Sequence, residues 1–264
     1  MINRASIIQW RAQAPWHNNE QVEQDLIICR SLIAIFSDDY LASQLAFRGG
    51  TALHKLYLTP QSRYSEDIDL VQINAGPIKP IFSRLGEVLD FLYGKVIKQK
   101  RYNNTMLFRI ESEFPPIVPI RLKIEINCFE HFSELGLVKV PFSIDNSWFS
   151  GSCNLTTYAL EELLGTKLRA LYQRRKGRDL FDLFKALSST NADPKVIIQC
   201  YQRYMNYAVS QPPTHKQFVS NMESKILNPE FQGDIKNLLR SDEKFDIQEA
   251  YQTVKRDIID RLRK

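Results

Sequence analysis

Apolar residues along this chain recur with two periods, and each period locates elements. Helical spacing first occurs at residues 3–12, where Ile7, Ile8 and Trp10 are the apolar positions. It stops at Ala14-Pro15-Trp16, because proline cannot continue a helix. It returns over residues 19–37, with Val22, Leu26, Ile27, Cys29, Leu32, Ile33 and Phe36 on one face, charge on the other, and Asn18 or Asn19 as a cap. Asp38 and Asp39 open a further short helix ahead of Phe47. Residues 77–94 predict a helix opened by Pro77 or Pro80, striped with Leu85, Val88, Leu89 and Leu92, and ended by Gly94. Strict alternation marks a half-buried strand over 120–127: Ile120, Leu122, Ile124 and Ile126 one way, Arg121, Lys123, Glu125 and Asn127 the other. Ile68 and Leu70 alternate with Asp67 and Asp69 in the same manner. Residues 95–114 predict a hairpin turning at Tyr102-Asn103-Asn104, its basic flank of Lys95, Lys98, Lys100 and Arg101 being either a guarded strand edge or a rim for nucleic-acid phosphates. Val138 and Val140 belong to a short strand, and Thr156-Thr157 before Glu161-Glu162 reads as a capping box. From Tyr158 onward the chain is helical, with Leu160, Leu163, Leu164, Leu168 and Leu171 in one stripe. Later helices are expected from Asn191-Ala192-Asp193-Pro194 and over 215–226, 231–239 and 246–263. Tyr201, Tyr204 and Tyr207 step along one of them, as core residues or as a base-stacking surface.

Composition narrows the class. The 264 residues allow one large domain or two modest ones. A 44% hydrophobic and 25% charged content is that of a globular protein, and a net charge of +5 permits a nucleic-acid partner without requiring one. Cys29, Cys128, Cys153 and Cys200 form no CxxC pair and have no histidine at ligand spacing, so free thiols in a reducing cytosol are expected. The first 16 residues lack the long apolar core of a secretory signal, and no stretch approaches the ~20 apolar residues of a membrane span. The expectation is a cytoplasmic protein without membrane attachment.

The chemistry concentrates in FRGGTALHKLYLTPQSRYSEDIDLV, residues 47–71. Gly49 and Gly50 let backbone N–H groups come close to a bulky anion, and the helix that begins near Thr51 aims its N-terminal dipole at the same spot. Arg48, His54 and Lys55 either reach such an anion or are solvated, and Arg63 either neutralises it or pairs with Glu66. Asp67 and Asp69, two apart on a strand, project both carboxylates from one face, and Glu66 alternates away from them. Paired carboxylates beside a phosphate-holding turn suit Mg²⁺ bridging to nucleotide phosphates. Glu125 is the candidate third carboxylate, the alternative being a surface glutamate paired with Lys123.

The order Gly-Gly, helix, strand with Asp-x-Asp resembles the nucleotidyltransferase fold of the DNA polymerase β type. The fuller string GGTALHKLY…RYSEDIDLV, with EELLGTKLRALYQRRKGRDLFDL downstream, resembles the AbiEii/AbiGii (MenT-like) nucleotidyltransferase toxins, over roughly residues 45–185. That resemblance implies an α/β fold with a small mixed sheet. It implies an N-terminal helical cap over 1–46, a nucleotidyltransferase core over 47–150 and a C-terminal helical domain over 151–264 that completes the nucleotide site. Asp67 and Asp69, with Glu125, would bind Mg²⁺ in a site with room for two ions. Gly49, Gly50, Thr51, Arg63 and Arg178 would bind nucleotide. Lys167 would contact the NTP triphosphate, and Asp179 would be a further catalytic residue, as base or as scaffold for basic groups. The implied reaction passes a nucleoside monophosphate from an NTP to an acceptor hydroxyl, releasing pyrophosphate, with the tRNA 3′ end as leading acceptor and an antitoxin as protein partner. Transfer to a protein hydroxyl, and a non-catalytic nucleotide- or RNA-binding module, are the alternatives.

Overall fold

The computed structural model describes residues 2–263; Lys264, the last residue of the basic C-terminal segment, lies outside them. Local capping sets where the first helices begin. The Asn3 side chain accepts from the Ser6 N–H at 2.9 Å and starts α1 (Arg4–Trp10). A reciprocal box between Asn18 and Gln21 starts α2 (Asn19–Phe36). Asp38 accepts from the Leu41 N–H at 2.9 Å and starts α3 (Asp39–Gln44). The chain then alternates: β1 (Leu45–Arg48), α4 (Gly49–Leu56), β2 (Asp67–Gln72), α5 (Lys79–Val88), β3 (Val96–Lys98), β4 (Asn103–Glu111), β5 (Pro119–Asn127), β6 (Leu137–Ile144) and β7 (Gly151–Tyr158).

The α/β fold is thus observed. Among the described residues the seven strands form one mixed sheet, ordered β3-β4-β5-β2-β1-β7-β6. β2 runs parallel to β5 and β1 parallel to β7, while the other neighbours are antiparallel. The alternation read from sequence puts Ile68, Leu70, Ile120, Leu122, Ile124 and Ile126 into the core. α2 packs on β5, β6 and β7 and is buried well beyond its apolar stripe, for Glu23, Gln24 and Asp25 are buried too. Their polarity is satisfied by specific partners. The Gln24 amide donates to the Glu66 and Arg121 carbonyls at 2.8 and 3.0 Å, and the Glu23 carboxylate accepts from the Glu113 N–H.

Several local expectations shift: the helix expected over 77–94 spans only Lys79–Val88, and the one expected over 231–239 spans only Pro229–Gly233. The hairpin turn precedes Asn103, because β4 pairs with β5 over its whole length from the Asn103–Asn127 pair onward. Thr156 and Thr157 are strand residues of β7, and the next helix starts at Leu160 after Ala159. The Thr157 hydroxyl donates to the Phe47 carbonyl at 2.7 Å, a tertiary bond that a capping reading cannot foresee.

The chain divides into two compact units, Met1–Ser133 with Leu137–Tyr158, and Glu134–Gly136 with Ala159–Lys264. The second is helical: α6 (Leu160–Gln173), α7 (Gly177–Ser189), α8 (Pro194–Ala208), α9 (His215–Ile226), α10 (Pro229–Gly233), α11 (Ile247–Asp257) and a 3-10 turn (Ile259–Arg263). Leu163, Leu164, Leu168 and Leu171 join Leu180, Phe181 and Leu183 in its core. Tyr201 and Tyr204 are buried there and only Tyr207 is exposed, so this row of tyrosines packs the core instead of presenting a stacking face. The buried carboxylate of Glu162 ties in the short 134–136 segment by accepting from the Glu134 and Leu135 N–H groups at 2.7 and 3.0 Å. All four cysteines are free thiols, and burial pushes Cys29 up to about 12, which makes it unreactive at neutral pH.

Candidate active site

β1 ends at Arg48 and α4 begins at Gly49 with no intervening loop. Such a reversal requires a positive φ, and Gly49 has φ +81. A Cβ built at Gly49 would lie 2.2 Å from Asp69 Oδ2, so the carboxylate sits directly against the turn. The register explains the approach, because antiparallel pairing sets Arg48 opposite Asp69. The free N–H groups at the start of α4 therefore open beside a carboxylate of β2.

Thr51 fastens the turn to the strand. Its hydroxyl is buried, donates to the Asp67 carbonyl and lies 2.7 Å from Ser65 Oγ. Arg63 is buried beneath the same turn; its guanidinium donates to the Tyr64 carbonyl at 2.9 Å, and its Nη2 would be 2.5 Å from a Cβ at Gly50. Both glycines are thus places where another group occupies the space of a side chain. Replacing Gly49 with alanine should force a positive φ on a residue with a Cβ and push Asp69 aside. We expect transfer to fall by about tenfold or more and the melting temperature to fall as well, since the left-handed conformation alone costs roughly 1–2 kcal/mol. Thermal melts and initial rates on Gly49→Ala check this.

The parallel pairing of β2 with β5 sets Asp67 opposite Lys123 and Asp69 opposite Glu125. The three candidate carboxylates therefore share one patch of the sheet. Lys123 lies among them, with its ammonium 2.8 Å from Asp67 Oδ2 and 3.5 Å from Glu125 Oε2. Burial pushes Asp67 up to about 6, against the opposing hydrogen bond and charge of Lys123. Lys123 itself rises above its ordinary value, because Asp67 and Glu125 outweigh its own burial. Among the described residues no three His, Cys, Asp or Glu side chains are gathered closely enough to hold a metal ion by themselves. The donor set nevertheless fits a hard cation. It is all carboxylate oxygen, half exposed, and already draws a positive charge, that of Lys123, between Asp67 and Glu125.

Other basic candidates face elsewhere. Arg48 is bound to the buried Glu130 at 2.6 Å, and Glu130 holds it above its ordinary value despite its burial. Lys55 is a core ion pair, 3.0 Å from the buried Asp25, which also accepts from Trp10 Nε1 at 2.9 Å. His54 is fully buried. α4 packs against β1 and β2 and reaches α2 through Lys55, so neither residue is open to a phosphate.

The second unit carries its own cluster. Lys167 of α6 is buried, 3.2 Å from Asp179 and 2.9 Å from Asp182 of α7, and both aspartates are fully buried. Arg174 grips Asp179 with two hydrogen bonds of 2.6 and 2.7 Å while staying half exposed itself. Despite burial, these two cations hold Asp179 below the ordinary carboxylate range. An acid kept ionised in this way is a poor proton acceptor and a good scaffold for Lys167 and Arg174. Arg178 and Lys176 both pair with Asp234, at 3.6 and 3.1 Å. Sequence reasoning singled out neither Lys123 as a partner of Asp67 nor Asp182 as a partner of Lys167. The i+2 spacing of Lys123 and Glu125, and the i+3 spacing of Asp179 and Asp182, were the available signals.

Among the described residues no helix is long and apolar enough to cross a membrane. No curated protein matches the sequence. The solved structure of MenT4, a nucleotidyltransferase toxin from Mycobacterium tuberculosis H37Rv, is similar over 100% of both chains, at 18% identity and a TM-score of 0.58. JHP933 from Helicobacter pylori is similar over 93% of both chains, at 17% identity and a TM-score of 0.56. At such identities these likenesses speak for the fold. The sequence profile described as nucleotidyl transferase AbiEii toxin, type IV TA system, matches residues 30–254. Spanning most of the chain and both units, that match makes this protein a nucleotidyltransferase of the AbiEii toxin family.

Proposed function

We propose that this chain transfers a nucleoside monophosphate from an NTP to an RNA hydroxyl, with the tRNA 3′ end as leading acceptor, and that the reaction depends on Mg²⁺. The observation that carries this reading is the Asp69 carboxylate seated against the Gly49 turn, where a phosphate-facing helix start meets the acidic face of β2. In the reaction the acceptor oxygen bonds to the α-phosphorus, the bond from that phosphorus to the bridging oxygen breaks, and pyrophosphate leaves. Asp67 and Asp69, with Glu125, would hold Mg²⁺, which when bound neutralises charge on the phosphates and the attacking oxygen. Gly49, Gly50 and Thr51 present backbone N–H groups to phosphate, with Arg63 bracing the turn from within the core. The carboxylate patch receives the proton of the acceptor hydroxyl. Asp179 keeps Lys167 and Arg174 in place, and Arg178, which pairs with Asp234, would be a further anion-binding group. Catalysis rests on positioning and electrostatics. Membership of a toxin family implies an NTP substrate and an antitoxin partner; we infer that the antitoxin is a protein.

The test is incubation of the purified protein with total tRNA, Mg²⁺ and each α-³²P-labelled NTP in turn, resolved on a denaturing gel. Label on tRNA with one NTP, absent without Mg²⁺, is the expected result. Label on a protein band instead would replace RNA by a protein hydroxyl as acceptor. Labelling unaffected by chelation of divalent ions would sink the Mg²⁺ assignment.

A further inference from the structure

The acidic patch of the sheet already contains a cation, and it belongs to the chain. Lys123 reaches Asp67 Oδ2 at 2.8 Å and Glu125 Oε2 at 3.5 Å, carboxylates that lie on different strands. Strand register makes this placement a property of the fold. Lys123 is the direct β5 partner of Asp67 and lies two residues before Glu125, so all three side chains leave the sheet on one face. The lysine is only about a third exposed, and its ammonium occupies the gap between the first and third carboxylates of the proposed metal site.

Charge balance gives this geometry a consequence. Asp67, Asp69 and Glu125 supply three negative charges, which one divalent ion together with Lys123 neutralises. Two divalent ions with the lysine in place would leave a surplus of two positive charges in a half-buried patch, repelling one another at separations of a few ångström. Two-ion sites hold their ions roughly 3.5–4 Å apart and need shared carboxylate oxygens between them. Here an oxygen of Asp67 and one of Glu125 are already turned toward the ammonium.

We propose that Lys123 fills one of the two cation positions of the Asp67–Asp69–Glu125 patch, so that the protein by itself takes a single divalent ion. Lys123 is then a positioning residue. It holds Asp67 and Glu125 at their spacing before metal arrives, and it leaves any further ion to come with the negative charge of the triphosphate. This inference rests on the metal-binding reading of the three carboxylates given above.

The experiment is a titration with Mn²⁺ alone, without nucleotide, in which the free hexaaquo ion is counted by its EPR signal. Wild type should bind about one ion per chain, Lys123→Met about two, and Lys123→Arg, which retains the charge, about one. Thermal melts accompany each variant, and Lys123→Ala serves as a second neutral replacement should Lys123→Met melt early. Two ions bound to wild type, or one ion bound to both neutral variants, would overturn the role of Lys123 and leave the metal-dependent reaction standing. No ion bound to any of the proteins would overturn this inference, and the chelation test above then decides whether an ion arriving with the NTP still drives the reaction. Turnover is not needed for the readout, so a loss of activity cannot imitate it.

Discussion

Asp67→Ala is expected to lower nucleotidyl transfer by at least about a hundredfold, roughly 2.7 kcal/mol of transition-state stabilisation, without loss of the fold. Asp67 is the first residue of β2, it faces Lys123 across the parallel pair, and its side chain lies outside the core. Removing it leaves Ile68, Leu70 and the ladder to β5 intact. The pKa shift gives the sign of the stability change. Burial raises the Asp67 carboxyl to about 6, above its ordinary value, so the folded state prefers the protonated form. The ionised form therefore costs folding stability at neutral pH, and that cost vanishes as pH falls through about 6 toward the ordinary carboxylate range. The alanine variant escapes this cost and loses the Lys123 contact, so its melting temperature should lie close to that of wild type. Mg²⁺ should raise the melting temperature of wild type, because it binds only the folded site, and should not raise that of Asp67→Ala. A variant that retains wild-type labelling of its acceptor would remove Asp67 from the mechanism. One that melts several degrees early would show that the carboxylate serves the fold.

Lys167→Ala should instead be expensive for folding, by about 3 kcal/mol or more. The resemblance to the toxin family casts Lys167 as a group that meets the triphosphate, a role usually tested by alanine. The geometry makes that substitution a poor separator. The Lys167 ammonium is buried between two fully buried carboxylates, at 3.2 Å from Asp179 and 2.9 Å from Asp182. Without it, Asp182 loses its ammonium partner inside a low-dielectric core, while Asp179 keeps Arg174. Lost activity in the alanine variant would thus report on the helical unit as much as on phosphate binding. Acid should act in the same direction. The Asp179 pKa is depressed, so the stabilisation that its ionised form provides is full above the ordinary carboxylate range and is lost as pH falls through the depressed value. Chemical denaturation of wild type and Lys167→Ala at pH 7.5 and at about pH 3, below the ordinary carboxylate range, measures both effects. An alanine variant as stable as wild type would contradict the buried ion-pair account. The double variant Lys167→Met with Asp182→Asn removes charge from both sides, and it should regain much of the stability without regaining a cation for phosphate.

Much of the sheet-borne site was legible because it obeys short-range rules. A period of two puts Asp67 and Asp69 on one face, and the same period puts Lys123 and Glu125 on another strand's polar face. A Gly-Gly pair ahead of an apolar helix marks a turn open to an anion. Helix starts at Asn18 and Asp38 could be read from the side chains that cap them, whereas the Asn3 cap came from the structure. Other features depended on which strands became neighbours. The Asp67–Lys123 and Asp69–Glu125 pairs join residues more than fifty positions apart, and no local pattern states that β2 and β5 run parallel side by side. The capping signal at Thr156-Thr157 was sound locally and lost to a ladder with β1 and β6 that keeps both residues extended.

By itself the sequence pointed to the class of chemistry and to a set of candidate residues for it. Charge, periodicity and glycine placement are properties of neighbours along the chain. The tertiary structure decided which charged groups are available. It sent His54 and Lys55 into the core, where Lys55 meets Asp25, and it bound Arg48 to Glu130. It also enclosed Lys167 between two aspartates and set Lys123 among the carboxylates of the site. The reason is physical. Burying a charge is unfavourable unless a partner lies within a few ångström, and the fold alone determines which partner that is.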